Sequence, residues 1–585
     1  MSFARVQFLL VALLGVVLVA ASCAPAAPAP APAAPQQASA PSAPAPRPPA
    51  PAQQPTPTVA PAAAQPARAA PTPTQPAKEG PRSGGLLRLW AEADPGALDP
   101  HQDNTSIRGV ALFALAYSGL LMWDPHSPVD QKAIPDLAES WNVSGDGLIW
   151  TFKLKPGVTF SDGSPLTAAD VKFTYERIMS PPKGVRSAYA GMWKGVKSID
   201  APDAATVRIN LGQPKALLLA LVTWNSSLIT PKRVLETDQQ ALKQKTVGTG
   251  PFILKEWKKS VSFTFQKNPN YFKKGLPYLD GIQSIVIPDP STQFAALRTG
   301  KVHTSGYGSR GLSTTEATQL KKEVPNSQVW RYACGCLGRL LFNVQKKPWD
   351  DVRVRQAAAL VLDGKLAIDL AYEGVGAVGG FIPMESYWSL PKDELQRAWP
   401  VVRGPTGDEI ARAKKLMADA GYKDGVTTTY MQSSTPTYEE QMLAIKRQLE
   451  KIGFKVNVIV RQYPAQFNEA LASGAYEMTG QPTVAPVWDP DVYLSMYATG
   501  DPQNFGKFSD PTADDLYQRQ SKTVDREQRR ALVWQLQRRL METVPAIVYV
   551  HREFTHAATS QVRNYEGPRP LLYDNLRFED VWLAQ

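Results

Sequence analysis

The chain has 585 residues, 43% of them hydrophobic and 20% charged, with a formal net charge of +11. That length exceeds what one hydrophobic core supports, so two or more lobes are expected. The charge is modest for the size and reads as a solvated surface with some leaning toward anionic surfaces or ligands; with no Lys/Arg run denser than pairs such as Lys273-Lys274, nucleic acid is set aside as a partner.

The first residues read as a secretion signal. Arg5 supplies the charged start, and the apolar run over 8–21 is too short to span a bilayer comfortably. The run stops at Ala20-Ala21-Ser22-Cys23, which resembles the lipobox of bacterial lipoproteins and implies cleavage before Cys23 and lipid on its sulfur. An ordinary secretory signal with a chance cysteine is the simpler alternative. No second long apolar run follows, so the mature chain is not read as membrane-spanning. Residues 24–82 are almost all Ala, Pro, Gln and Thr. They cannot bury a core and are predicted to form an extended tether reaching up to about 180 Å, at about 3.1 Å per residue.

Beyond the tether, Ser144-Gly145-Asp146-Gly147 predicts a tight turn, and Trp150, Phe152 and Leu154 alternate as a half-buried strand should. Thr167 followed by Asp170 is a capping-box start for a helix that carries Val171, Tyr175 and Ile178 on one face. Past Arg331 the pattern changes to alternating helices and strands. Thr406 with Glu409 and Thr437 with Glu440 predict two helix starts, with Gly421 and Gly453 as their stops. Met442, Ile445, Leu449 and Ile452 share one face of the second helix, and Phe454, Val456, Val458 and Val460 then alternate as a strand. This half reads as α/β, the earlier half as α+β or mixed. Cys334 and Cys336 could pair, bind a soft metal or simply pack; packing is the expected arrangement because a disulfide between such near neighbours is strained, with a redox or metal role left open. The five histidines show no metal-ligand spacing. Gly306 to Gly311 formally matches GxGxxG but lacks the helix and acidic residue that would make it a dinucleotide loop; no P-loop, nucleophile elbow or HExxH is present.

The segment PDLAESWNVSGDGLIWTFKLKPGVTFSDGSPLTAADVKFTYERIM over 135–179 closely resembles the signature region of extracytoplasmic solute-binding proteins of ABC importers, the family that binds peptides, nickel complexes and opines. GTGPFILKEW, NPNYFKKGLPYLDGI, LLFNVQKKPWDDVRVRQAAALVLD and WDPDVYL resemble further blocks of that family, in family order. The resemblance implies an α/β, two-lobed periplasmic-binding-protein-like fold, type II in its large form. It implies lobe I over 83–326 with an extra subdomain over about 104–243, lobe II over 327–547, and a return to lobe I over 548–585. The two chain crossings fall near 327–331 and 546–551. The implied function is capture of a small solute between the lobes, which close by hinge motion, and delivery to a membrane permease. The implied partners are that solute, an ABC permease with its ATPase subunits and, through the lipid anchor, the outer face of the cell membrane. The protein is expected to be a monomer without enzymatic activity or cofactor.

The site residues follow from the same resemblance. Peptide-binding members place an aspartate three residues before an Asp-Pro pair to hold the ligand's ammonium; here the pair is Asp489-Pro490 and the position is Pro486. An ammonium buried there without a counter-charge would cost several kcal/mol, so ordinary free-amine peptides are not the expected ligand. Trp488 matches an aromatic that lines the pocket of the nickel-binding branch, and Trp193 matches a second one. Two indoles would favour an apolar, planar or cationic ligand. The carboxylate-holding arginines of that branch are replaced by Ala190 and Ser227. Asp489 is expected to cap the pocket loop; Asn343, equally readable as a structural amide, and Tyr307 are further candidates for contact. Alternatives kept open are an oligopeptide receptor of the same family, a ligand-sensing lipoprotein signalling to a membrane partner, and an extracellular hydrolase.

Overall fold

The computed structural model describes residues 80–102, 107–126, 132–187, 189–307, 311–435, 438–485, 487–565 and 577–584. The secretion signal, Cys23, nearly all of the tether, Thr437 and Pro486 lie outside these residues. In chain order the strands are β1 (Leu86–Ala91), β2 (Leu121–Trp123), β3 (Ala133–Pro135), β4 (Ala138–Val143), β5 (Ile149–Leu154), β6 (Val196–Asp203), β7 (Thr206–Leu211), β8 (Phe252–Lys258), β9 (Ser262–Lys267), β10 (Gly281–Val286), β11 (Thr304–Tyr307), β12 (Gln328–Phe342), β13 (Val426–Ser433), β14 (Phe454–Arg461), β15 (Met478–Val484) and β16 (Ala546–Ala558).

The predicted turn forms as read. Ser144 N donates to Ile149 O, Gly147 takes φ +73°, and β4 and β5 pair with Trp141 opposite Phe152. The next helix, Ala168–Met179, begins where Thr167 N donates to the Asp170 carboxylate at 2.9 Å. Its Val171, Tyr175 and Ile178 are buried against a separate antiparallel sheet of order β4-β5-β7-β6, with Phe152 and Ile209 in the same core.

β2 and β3 pair with each other, and the remaining ten of these strands form one mixed sheet of order β14-β13-β15-β12-β16-β11-β1-β10-β9-β8. Helices cover its later half as expected. Thr406 and Glu409 cap Gly407–Asp419 reciprocally, and Met442, Ile445, Leu449 and Ile452 are all buried. β14 departs from simple alternation: Phe454 and Val456 are buried, but Val458 and Val460 are 36% and 58% exposed. The cause is position, because β14 is the edge strand and has a neighbour on one side only.

Gly306 and Gly311 of the GxGxxG match have a packing reason. A Cβ on Gly306 would sit 1.5 Å from the Trp90 carbonyl oxygen, where β11 runs against β1. One on Gly311 would sit 2.6 Å from the Thr555 nitrogen. Both positions demand a residue without a side chain so that neighbouring backbones can meet.

At the centre of the large sheet lie its two longest strands. The first part of β12 pairs with the end of β16 (Gln328 opposite Ala558, Ala333 opposite Glu553), and its second part also pairs with β15 (Cys336 opposite Val484, Phe342 opposite Met478). Each of the two strands therefore serves both halves of the sheet. Their register breaks between Ala333 and Leu337, which is opposite His551, so Cys334, Gly335 and Cys336 together face Arg552 alone. Here the preference for packing is corrected in favour of the pairing also left open: Cys334 and Cys336 are joined by a disulfide. Alternate residues of a regular strand are about 6.6 Å apart. Gly335, at φ +70°, folds the chain until the two cysteine Cα atoms are 5.2 Å apart, close to the spacing of about 5.5 Å that disulfides favour.

Candidate functional site

Trp488-Asp489-Pro490 begins a short helix, Pro490–Leu494, just after β15. Asp489 is its N-cap: the carboxylate accepts from Asp491 N at 2.9 Å, and Pro490 fills the first helical position, where no donor is needed. Ala485 N donates to Gly335 O at 2.9 Å, which fastens this loop to β12. Trp488 is consequently buried, in contact with Ala333, and its indole nitrogen would lie 3.3 Å from a Cβ placed on Gly335.

A second element reaches the same loop. The helix Arg526–Thr543 projects Arg529 onto Asp489 as a bidentate pair, Nη1 to Oδ2 at 2.8 Å and Nη2 to Oδ1 at 2.5 Å. Arg529 also approaches Asp491 Oδ1 at 3.4 Å and donates through Nε to Gln520 Oε1 at 3.1 Å, while Gln520 Nε2 donates to Asp491. Burial opposes the charge on Arg529, but Asp489 outweighs it and the guanidinium pKa is raised. Asp491 moves up as well, because burial disfavours its charge more than Arg529 restores it. Lys215, pushed down by burial and drawn up by Asp491 and Asp489, is a further cation near the group. Asp489 thus does what was expected of it, capping the loop, and its carboxylate is also fully engaged by a partner that no motif announced.

Next to this network is a cavity of about 280 Å³, at the small end of ligand pockets (roughly 300–1,000 Å³). Part of its lining comes from Trp123 of β2, Ala133 of β3, Trp141 and Val143 of β4, and Trp150 of β5. Lys132, Ala216, Leu219 and Ala220 add to it. The later part of the chain contributes Trp388, Trp488, Asp489, Val524, Arg526 and Arg529. Arg529 lies over the Trp388 ring at 5.0 Å, and Arg526 lies 3.6 Å over Tyr387, so the arginines are stacked on aromatic faces. The cavity joins five indoles with three cations and one acid, and that acid is already paired.

The remaining candidates fall elsewhere. Trp193 is a core residue 2% exposed, its ring 4.7 Å from Tyr175, so the face it was expected to offer a ligand is taken. Ala190 opens the same short turn, and Ser227 is buried in another; neither supplies a charge. Asn343 uses its amide structurally, donating to Gly474 O at 2.9 Å and Tyr476 O at 3.2 Å and accepting from Gln345 N at 3.2 Å. Tyr307 ends β11 with its backbone opposite Ala91; its side chain and Pro486 lie outside the described residues. Sequence reasoning missed Trp123, Trp141, Trp150, Trp388, Arg526 and Arg529. The chain has 14 tryptophans, and no local pattern singles out the four that meet Trp488.

Comparison with known proteins follows the same lines. The profile of bacterial extracellular solute-binding proteins, family 5 middle, matches residues 132–505. The glutathione-binding protein GsiB of Pectobacterium atrosepticum is 27% identical over 503 residues, covering 84% of this chain and 92% of that protein. Di/tripeptide-binding protein 1 of Pseudomonas aeruginosa is 26% identical over 493 residues, covering 80% of this chain and 88% of that protein. Among solved structures, the ABC transporter-associated periplasmic binding protein DppA of Helicobacter pylori, in complex with the peptide STSA, aligns with a TM-score of 0.65 at 28% identity. That alignment covers 86% of this chain and 99% of DppA.

Proposed function

As the chain belongs to family 5 of the bacterial extracellular solute-binding proteins and is a two-lobed solute-binding receptor of an ABC import system, we propose that its solute has an apolar, ring-bearing body and an anionic group, and lacks a free ammonium. The observation that carries this reading is the charge balance of the cavity. Asp489 and Arg529 cancel each other in a bidentate pair, and the other charged residues of the described lining, Lys132 and Arg526, are both cationic. An incoming ammonium would meet like charge and no free carboxylate. A carboxylate would meet compensation, and the indoles supply flat apolar walls. Pro486, in place of an acidic residue, points the same way. The cationic ligand that two tryptophans alone would admit is disfavoured by these neighbours.

The test is native mass spectrometry of the full chain as purified, against the same protein stripped by unfolding and refolding. A single small adduct, lost on stripping and restored by aromatic carboxylic acids, is the expected result. For that solute Trp488→Ala is expected to weaken binding by about fivefold, since stacking on one aromatic is worth on the order of 1 kcal/mol. A ladder of masses matching peptides would replace this reading with the oligopeptide receptor, which the names of GsiB and di/tripeptide-binding protein 1 favour.

The assignment of 83–326 and 548–585 to lobe I and 327–547 to lobe II belongs to the same proposal, with an extra subdomain over about 104–243. The strand exchange at β12 and β16 supports it. The receptor acts as a monomer, performs no catalysis and is held at the outer face of the membrane by lipid on Cys23. Labelled palmitate fed to the producing cell is expected to enter the protein, and Cys23→Ser to abolish the label; equal labelling of the variant would remove the anchor from the proposal.

A further inference from the structure

Cys334-Gly335-Cys336 is not part of the cavity wall, yet it occupies the point where the two central strands pass from one half of the sheet to the other. The two faces of this bulge differ. On one face Cys334 and Cys336 cluster with Tyr332 and Phe554. On the other, Ala333 touches Trp488, and Gly335 accepts the hydrogen bond from Ala485 that seats the Trp488 loop. The disulfide therefore braces, from behind, the piece of backbone on which a cavity-lining residue rests.

Its position also says what the bond is not for. A disulfide stabilises the folded state mainly by closing a loop in the unfolded chain, and more so for longer loops. A bridge between residues two apart closes about the smallest loop a chain offers, so its effect is local.

We propose that Cys334 and Cys336 are a reversible thiol–disulfide site that sets the stiffness of the crossing between the lobes and, through Gly335 and Ala485, the seat of Trp488. The chemistry balances with a small dithiol as reductant. One of its thiolates attacks the Cys336 sulfur, the more exposed of the two at 8% against 0%, and expels the Cys334 thiolate. The second thiol of the reductant then attacks the mixed disulfide and releases Cys336. Two electrons and two protons end on the protein's pair, and the reductant leaves as a disulfide; a disulfide oxidant reverses both steps. Reduced, the three-residue bulge loses its brace, and strand pairing about Ala333 and Leu337 loosens. The link from this loosening to solute capture rests on the receptor reading; the bond and its effect on the strands do not.

The test uses the full chain. Trypsin acting without reductant cuts after Arg331 and Arg339 and releases residues 332–339, which are expected two hydrogens lighter than after reduction. Hydrogen–deuterium exchange is then compared between oxidised and reduced protein. Amides of β12 from Tyr332 to Leu337, and of the loop from Ala485 to Trp488, are expected to exchange roughly fivefold faster when reduced, as local opening of a less braced segment requires. Amides of β1 are expected to stay unchanged. A variant carrying Cys334→Ser with Cys336→Ser is expected to exchange at the reduced rate whether or not reductant is present. Two free thiols in the peptide from oxidised protein, or equal exchange in the two states, overturns the proposal. Faster exchange confined to β12, with the Trp488 loop unmoved, overturns its link to the cavity.

Discussion

Replacing Arg529 by methionine is expected to lower the stability of the protein by about 3–5 kcal/mol, the usual cost of removing one partner of a buried ion pair. The side chains of Arg529 and Asp489 are 4% and 6% exposed, and Asp491 lies within 3.4 Å of the same guanidinium. Methionine keeps most of the volume, so the loss is one of charge compensation and not of packing. It leaves two carboxylates buried side by side, with Lys215 as a nearby cation. One of them must then take up a proton, so the deficit relative to wild type is expected to shrink between pH 7 and pH 5. Adding Asp489→Asn to the variant is expected to restore part of the stability, because the uncompensated charge is removed with its partner. Arg529→Lys is expected to fall between the two, since an ammonium cannot make the two-pronged contact or lie flat on Trp388. Urea denaturation of the four proteins at both pH values makes the comparison; a deficit below about 1 kcal/mol for Arg529→Met would mean that the pair is solvated in solution, contrary to its burial here.

Mild acid is expected to unfold the protein through its histidines before most carboxylates titrate. Burial lowers His101 to about 4, although Asp99 beside it works the other way. Burial likewise lowers His551 to about 4 and His556 to about 3, and burial with Arg88 beside it lowers His303 to about 4. Geometry explains why the neutral ring is held. Arg177 Nη1 is 2.8 Å from His101 Nδ1 and can only donate, so Nδ1 must accept, and Nε2 donates to Leu228 O at 3.0 Å. Nε2 of His551 lies 2.9 Å from Gly380 O, and Nε2 of His556 lies 2.8 Å from the Tyr332 hydroxyl.

In the unfolded chain each of these rings titrates near 6.5. Their contribution to stability is therefore complete above that pH and is lost as pH falls toward the folded values, because the unfolded state binds protons that the folded state refuses. By pH 5 each histidine is expected to have withdrawn on the order of 2 kcal/mol. The three fully buried rings, His101, His551 and His556, together approach the whole stability of an ordinary domain, about 5–15 kcal/mol. The urea midpoint should fall steeply between pH 7 and pH 5, and calorimetry should record about three to four protons taken up on unfolding near pH 5, His303 included. His101→Gln is expected to reduce that uptake by one. A midpoint flat across the interval would overturn the prediction.

Much of the fold was legible because it is written in local patterns. The hairpin at Gly147, the helix start at Thr167 and the buried stripe of Met442, Ile445, Leu449 and Ile452 each depend on residues a few positions apart. The family was legible because motifs keep their order along the chain, and the profile match over 132–505 bears that out. β14 was legible as a strand, but not as an edge, since the number of a strand's neighbours is a property of the sheet.

The cavity is of the second kind. Trp488 and Asp489 could be named from the string that holds them, whereas Trp123, Trp141, Trp150, Trp388 and Arg529 come from segments up to about four hundred residues apart. Trp193 shows the converse, a residue that matched a motif and was claimed by Tyr175 for the core. The disulfide belongs here too, because an alternating strand pattern carries no sign of the bulge at Gly335 that brings the two sulfurs together. What the sequence determined by itself was the order and identity of elements, through periodicity and caps that act over one or two turns of chain. Only the tertiary structure decided which charges cancel and which rings share a wall, because those are set by distances across the fold that no spacing along the chain encodes.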